Sequence, residues 1–181
     1  MSRRSRRSVW LLAVLVLAAT LLFASVVPGT AAAKRAAKTP SIVDVAIAVN
    51  ANGPYAGAFD TLIAAVLAAD PAVVQTLSSR AQYTVFAPTD DAFAKLGLDA
   101  TNIGTLPQAD LTNILLYHVA HGRRYAADVI ASDQIRMLNG GFVFQSGGVL
   151  TDAQGRMSTI IVTDVKATHG VIHAIDTVLL P

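Results

Sequence analysis

Asp and His residues are the side chains of this sequence that could do chemistry, and the first cluster of them is Thr89, Asp90 and Asp91. Their oxygens could hold a metal ion or exchange protons with a substrate. The same residues also suit the beginning of a helix, where a threonine hydroxyl accepts a backbone N–H and carboxylates face the positive end of the helix dipole. Because such a cap contributes about 1 kcal/mol, helix capping is the favoured interpretation.

The four histidines raise the question of a metal site. His169 and His173 are four residues apart, a spacing that brings two imidazoles onto one face of a helix. Gly170 stands between them and a predicted strand follows, so their side chains would not converge on a zinc ion. His118 and His121 are not a helical pair of the metalloprotease type either. The sequence therefore predicts neither a metal site nor a cofactor.

A Ser-His-Asp hydrolase is the main catalytic alternative. It requires a serine hydroxyl within reach of a histidine that an aspartate orients. The sequence has no Gly-x-Ser-x-Gly elbow; Ser78 and Ser79 end a predicted helix, and Ser146 lies in a predicted hairpin turn. Glutamate and cysteine are both absent, which excludes a glutamate acid or base, thiol catalysis and disulfides. We therefore predict that the protein is not an enzyme.

The first 33 residues are typical of an export signal. Four arginines lie within residues 3–7, an apolar run follows over residues 9–27, and small residues stand at 31–33. The Pro28-Gly29 pair favours cleavage after residue 33, which leaves residues 34–40 as a short linker. Because the apolar run also approaches the length of a spanning helix, an uncleaved anchor stays open. We expect a secreted protein, with a membrane-anchored extracytoplasmic domain as the alternative.

Removal of the export signal changes the charge of the protein. The whole chain carries a net charge of +2, with a pI near 9.2. Residues 41–181 retain seven basic side chains against twelve acidic ones, a net charge of −5. Nucleic-acid binding requires clustered Lys and Arg, so an acidic domain argues against a nucleic-acid partner.

Residues 41–181 contain helical patterns first and strand patterns later. Helices are predicted over residues 41–48, 59–67, 70–77, 89–97, 107–117 and 126–131, and strands over residues 83–86, 134–138, 141–145, 148–151, 158–165 and 170–180. This order is typical of an α+β domain and not of alternating βαβ units. A domain of this length buries enough surface to be stable without disulfides.

Three segments of this domain resemble signatures of one family. Residues 84–93 (TVFAPTDDAF) resemble the first signature of fasciclin-like domains, and residues 115–119 (LLYHV) resemble its tyrosine–histidine segment. Residues 170–181 (GVIHAIDTVLLP) resemble the second signature, which closes the domain. The three segments occur in the family's order and spacing, and the resemblance covers residues 41–181.

The resemblance implies an α+β fold in which N-terminal helices pack on a wedge-shaped β-sandwich of short strands. It also implies a role in cell adhesion or matrix binding, without catalysis. Two places in animal relatives are linked to integrin binding, and they fall here on Tyr117 with His118 and on Asp164 with Val165. These four residues are the candidate binding residues.

Other residues of the signatures are assigned to structure. Thr89, Asp90, Asp91 and His173 form this second group. His118 lies on an apolar helix face, which favours a hydrogen-bonded core histidine over a contact residue. We expect a hydroxyl or carboxylate of the turn at residues 89–91 to contact the His118 imidazole.

The sequence thus predicts a secreted or surface-attached fasciclin-like protein that binds an extracellular protein or polysaccharide surface noncovalently. A membrane contact is expected only if the N-terminal segment stays uncleaved. The alternative is an extracellular carrier of a small apolar ligand or lipid. A carrier would use an apolar groove between helices and sheet, with a volume of roughly several hundred Å³.

Overall fold

A computed structural model gives the fold of the chain and describes residues 40–52 and 54–181. The predicted export signal, residues 1–33, lies outside the described residues, as does the linker up to residue 39. Within the described ranges, no single helix is long and apolar enough to cross a membrane.

The described residues form six α-helices, one short 3-10 helix at Ile103–Thr105 and seven strands. The helices are α1 (Ile42–Ala51), α2 (Asp60–Ala68), α3 (Pro71–Leu77), α4 (Asp90–Ala94), α5 (Gln108–Tyr117) and α6 (Ala126–Ile130). The strands are β1 (Tyr83–Pro88), β2 (Val119–His121), β3 (Gln134–Arg136), β4 (Phe142–Ser146), β5 (Val149–Thr151), β6 (Met157–Ala167) and β7 (Gly170–Ile175). Among the helices of the described residues, α2 and α3 taken together reach the length and apolarity of a membrane span, but they are bent by 117° at their junction.

Local capping signals account for the beginnings of α1 and α3. The Ser41 hydroxyl accepts the Asp44 N–H at 3.2 Å, and the Asp44 carboxylate accepts the Ser41 N–H at 2.8 Å, which is a capping box. An Asp70 oxygen accepts the Ala72 N–H at 2.8 Å, ahead of a proline in the first turn of α3. Both predicted helix starts are confirmed.

One predicted strand needs correction, and one strand was not predicted. The last strand was expected to run to residue 180, but β7 ends at Ile175. Beyond Asp176 the backbone groups bond to side chains instead of to a neighbouring strand, so no ladder can continue. The sequence also gave no sign of β2, because three residues directly after a helix show no period from which a strand can be recognised.

The seven strands are hydrogen-bonded in the order β2-β1-β7-β6-β5-β4-β3. β1 and β7 pair in parallel and the other neighbours pair antiparallel. The two ends of this order meet, because Ala120 of β2 bridges Met137 beyond β3, and Leu138 donates its N–H to Val119 O at 2.7 Å. The sheet therefore curls over on itself, and the predicted α+β class is confirmed.

The curled sheet separates two hydrophobic cores. One core lies between the helices and the sheet and includes Ile42, Leu62 and Ile172. The other lies inside the curl and includes Phe86 and Tyr117. Every residue of β1 and β7 is buried, since each of these central strands faces one core with alternate residues and the other core with the rest.

Gly170, the first residue of β7, is required by close packing. A Cβ atom at this position would collide with the backbone oxygen of Tyr83 and lie 2.6 Å from the Cδ1 atom of Ile42. Gly104 offers a contrast, since the nearest atom to a Cβ there is 3.9 Å away, in the Ala68 side chain.

We expect Gly170→Ala to lower the free energy of unfolding by about 1–3 kcal/mol, because the added methyl group overpacks the junction of α1 with β1 and β7. Gly104→Ala is the matched control and should change it by less than about 0.5 kcal/mol. Urea unfolding followed by circular dichroism measures both values. Equal unfolding midpoints for the two variants would contradict the close packing at Gly170.

Candidate functional site

The turn at residues 89–91 caps two different helices. The Thr89 hydroxyl accepts the Ala92 N–H at 3.4 Å at the beginning of α4, so the capping interpretation is confirmed. The Asp90 carboxylate accepts the Thr61 N–H at 2.8 Å and the Asp60 N–H at 3.2 Å at the beginning of α2. That helix has no side-chain cap of its own. Asp91 is exposed in the first turn of α4.

His118, at the end of α5, does not contact this turn, so the predicted contact is wrong. The oxygens of Thr89 and Asp90 are already engaged at helix N-termini. The His118 Nε2 atom instead accepts the Leu179 N–H at 3.0 Å, and Nδ1 lies 2.8 Å from the Ile114 oxygen. Because Leu179 requires an acceptor at Nε2, the ring proton sits on Nδ1 and is donated to Ile114.

The His118 ring is held in its neutral form. The residue is only 2% exposed. The pKa of His118 is lowered to about 4, chiefly by burial; the Ile114 carbonyl and Asp152 oppose this shift, and the nearby Arg156 cation acts in the same direction as burial. This is the geometry of the hydrogen-bonded core histidine that was the alternative interpretation of this residue.

Tyr117 spans the core inside the curled sheet. The side chain is fully buried, and its hydroxyl donates to the Phe142 oxygen at 2.6 Å and accepts the Ala153 N–H at 3.0 Å. Burial raises the pKa of the Tyr117 phenol. The side chains of Tyr117 and His118 are both buried in the folded domain. Their predicted binding role stays a prediction.

The C-terminal segment after β7 is held by side chains from several elements. Besides the bond from Leu179 to His118, Ser158 donates its hydroxyl to the Thr177 oxygen at 2.8 Å, and Arg156 donates to the Val178 oxygen at 2.7 Å. The closing signature is thus fixed in place by hydrogen bonds from strand β6, from the turn before it and from the end of helix α5.

Asp152 and Arg156 organise this anchor, and sequence reasoning missed both of them. The buried Asp152 carboxylate accepts N–H groups from Gln154, Leu180 and Arg156, each at 2.9 Å, and pairs with the Arg156 Nε at 2.9 Å. Burial raises the pKa of Asp152, but these hydrogen bonds and the cation outweigh it and leave the pKa below its ordinary value. The only signal was the turn sequence DAQGR at residues 152–156, in which an aspartate precedes a glycine of positive φ.

Asp164 and Val165 lie at an irregularity in β6. The pairing of β6 with β7 shifts register there, and Asp164 has a φ of +61°, in the left-handed region. The Asp164 carboxylate accepts the Ala126 N–H at 2.8 Å at the beginning of α6. Val165 is half-buried against the core beneath the helices. Their predicted binding role stays a prediction.

His173 connects this irregularity to the interior. The ring is fully buried and stacks on Phe86 with 5.7 Å between ring centroids. Its Nδ1 atom accepts the Asp164 N–H at 3.3 Å, and Nε2 lies 2.9 Å from the Arg124 oxygen. Both nitrogens of His173, like those of His118, therefore bond to backbone groups, so neither ring is available as a base in this fold. Within the described residues there is no group of three or more metal-ligating side chains.

The outward side of strands β4 to β6 carries large exposed apolar side chains, and we call this surface the outer face. Phe142 and Phe144 alternate with buried residues along β4 and are 42% and 53% exposed. Met157 and Ile161 on β6 are also exposed. Phe144 and Met157 both lie opposite Thr151, on its two sides, so the two strands contribute to one surface.

An apolar groove lies between the helices and the sheet. Its volume is about 820 Å³, open solvent at its mouth included, and α1, α2, α3, α5, β1 and β7 contribute to its walls. A smaller space of about 370 Å³ adjoins it and shares four of its lining residues, Ala46, Leu62, Ala87 and Ile172. The position and the apolar walls are those that the carrier alternative predicts, but the cavity volume without open solvent is about 140 Å³, smaller than the roughly several hundred Å³ expected.

Comparison with known proteins identifies the relatives of this domain. The sequence model of the family described as "Fasciclin domain" matches residues 57–181. "Protein sll1483" of Synechocystis sp. is 40% identical over 127 residues, which cover 68% of this chain and 67% of that protein. "Uncharacterized protein sll1735" of the same organism is 36% identical over 146 residues, 78% of this chain and 98% of that protein.

Two further similarities are more distant. "Transforming growth factor-beta-induced protein ig-h3" of Sus scrofa is 34% identical over 125 residues, which cover 68% of this chain and 18% of that protein. The solved structure of a FAS1 domain pair from the insect cell adhesion molecule fasciclin I matches with a TM-score of 0.54 and 22% identity, over 68% of this chain and 45% of that one. At this identity the structural match shows the fold alone.

We expect Asp90→Ala to lower the free energy of unfolding by about 1 kcal/mol, because two N–H groups at the beginning of α2 lose their acceptor. Asp91→Ala is the matched control, since Asp91 shares the first turn of α4 but is exposed. Chemical denaturation of both variants measures the difference. A loss as large in Asp91→Ala would show that the helix dipole, and not the cap on α2, is responsible.

His118 should make stability fall with acid. Because the folded state lowers the His118 pKa to about 4, the unfolded chain takes up a proton first as the pH falls below about 6.5. The stability that the neutral His118 ring contributes is present above about pH 6.5, and it is lost as the pH falls toward the folded-state pKa of about 4. Between about pH 7 and about pH 5, the free energy of unfolding should drop by about 2 kcal/mol from this group.

Urea titrations of wild type and His118→Gln at both pH values test this dependence. The variant should be less stable at neutral pH, yet lose less stability on acidification. His121→Gln, which removes an exposed histidine, is the matched control and should not lose stability at neutral pH. An acid-induced loss in His118→Gln that matches wild type would contradict the assignment.

Proposed function

The chain belongs to the fasciclin domain family, and we propose that it is a secreted or surface-attached binding module. In this proposal the domain adheres noncovalently to an extracellular protein or polysaccharide surface and catalyses no reaction. The contact is made by the outer face, through Phe142, Phe144, Met157 and Ile161.

The observation that carries this proposal is the concentration of exposed apolar side chains on the outer face. Contiguous exposed apolar surface on a soluble protein usually marks an interaction site. Phenylalanine and methionine are enriched in interface cores. Burial of one such side chain contributes about 1.5–3 kcal/mol. Polar neighbours complete the arrangement, because Gln134 and Arg136 on β3 lie directly opposite the two phenylalanines.

The residues that the family resemblance suggested are engaged elsewhere. Tyr117 and His118 are buried and hydrogen-bonded to backbone groups, and the Asp164 carboxylate caps α6. Contact through these residues would first require those bonds to break. Contact through the outer face requires no such change, which favours the outer face.

The outer face is also rigid. Between its exposed residues, β4 buries Val143 and Gln145, and β5 buries Leu150. The exposed side chains therefore stand on strands whose other side is packed in the core. Little ordering is required on binding, which lowers the free-energy cost of association.

We expect Phe144→Ser to weaken binding to an extracellular surface by about ten-fold or more, because a central aromatic contact is lost. The measurement is retention of the exported protein on matrix, envelope and polysaccharide preparations of the producing cells. Leu96→Ser is the matched control, since Leu96 is an exposed apolar residue outside this face.

Equal retention of Phe144→Ser and wild type would contradict the outer face as the contact surface. Loss of retention in Asp164→Asn with an unchanged melting temperature would instead locate the contact at the β6 irregularity. The preparation that retains the wild-type protein identifies whether the partner is protein or polysaccharide.

A further inference from the structure

We propose that the apolar groove between the helices and the sheet is a binding site for a neutral, elongated apolar small molecule. This site lies on the helix side of the sheet, apart from the outer face, so it goes beyond the adhesive role. The ligand class follows from the chemistry of the groove walls, from their extent and from the mouth.

The walls carry no charge that could hold an ionic headgroup. Every lining residue is apolar except His118. That ring donates to Ile114 and accepts from Leu179, and it is neutral, so both nitrogens are already engaged. A ligand charge inside this groove would lose its hydration without any compensating partner. The walls therefore select an uncharged molecule.

The groove is larger than the gaps that normally remain between packed helices and a sheet. Protein interiors are close-packed, with few gaps larger than a water molecule, whereas this groove has a cavity volume of about 140 Å³ and its neighbour adds about 30 Å³. Residues from Ile42 to Val49 of α1 line the two spaces in succession. At 1.5 Å per residue, this stretch of helix is about 10 Å long, which favours an elongated molecule over a compact one.

The mouth of the groove suits transfer from an apolar environment. Ile47 of α1 and Leu67 of α2 both line the groove, and they are 47% and 77% exposed. Two large apolar side chains at the opening give an incoming molecule contact before it is fully buried. The floor is formed by residues of β1 and β7, so the groove reaches down to the sheet.

Ala46 provides the test, because it lines both the groove and the adjoining space. Ala46→Phe places a ring in the volume that the ligand would occupy. Ala48→Phe makes the same substitution two residues away on the same helix, at an exposed position outside both linings. The two variants therefore differ in where the ring points, not in its chemistry.

The experiment titrates the full-length exported protein with the neutral fluorescent probe N-phenyl-1-naphthylamine and then displaces the probe with hexadecan-1-ol or hexadecanoate. Wild type and Ala48→Phe should bind the probe saturably, and hexadecan-1-ol should displace it at least as well as the anion. Ala46→Phe should bind about ten-fold more weakly or worse, because the ring overpacks the site. Hexadecan-1-ol should raise the melting temperature of wild type and Ala48→Phe, but not that of Ala46→Phe.

Several results would overturn the proposal. Equal probe binding by the two phenylalanine variants is one, and preferential displacement of the probe by hexadecanoate is another. A third is a wild-type protein that binds no probe but forms a dimer in solution, which Leu67→Ser dissociates. Loss of probe binding in Phe144→Ser would move the site to the outer face and equally refute it. If circular dichroism shows that Ala46→Phe is unfolded, Ala46→Leu takes its place, with the smaller side chain expected to weaken binding in the same direction.

Discussion

The structure depends on how the chain satisfies its backbone after strand β7. The ladder ends at Ile175, yet Val178 and Leu179 are buried, and buried N–H and C=O groups without partners are costly. His118 and the Asp152–Arg156 pair supply those partners from helix α5 and from the turn before β6. One set of polar side chains therefore connects the helices, the curled sheet and the end of the chain.

This constraint explains why the signature residues are poor candidates for direct contact with a partner. Tyr117 bonds the Phe142 oxygen and the Ala153 N–H inside the curl, and His173 holds the backbone on either side of the β6 irregularity. Their polar atoms are already satisfied by backbone groups. The large apolar side chains that are exposed lie outside the signature segments, among them those of the outer face together with Ile47 and Leu67 at the mouth of the groove.

Local features of this fold were predictable from the sequence, and contacts between distant segments were not. The caps at Ser41, Asp70 and Thr89 involve groups two or three residues apart, so short-range chemistry determines them. The Asp90 carboxylate bonds an N–H 29 residues away and His118 one 61 residues away. The sequence identified both residues as important, but we predicted a contact between them. The sequence alone does not show which backbone N–H lies near each side chain in the fold.

The two surfaces proposed for binding stand on separate cores, and this separation makes two functions compatible in one small domain. The outer face is supported by residues such as Val143 and Leu150 inside the curl, whereas the groove lies above the core beneath the helices. Among the residues of α1, only Ile42 is fully buried, and the rest of the helix is half-buried or exposed. Few buried contacts correspond to a low free energy of local opening. Helix α1 therefore borders the groove mainly with partly exposed side chains, whereas β4 and β5, which support the outer face, pack on the other core.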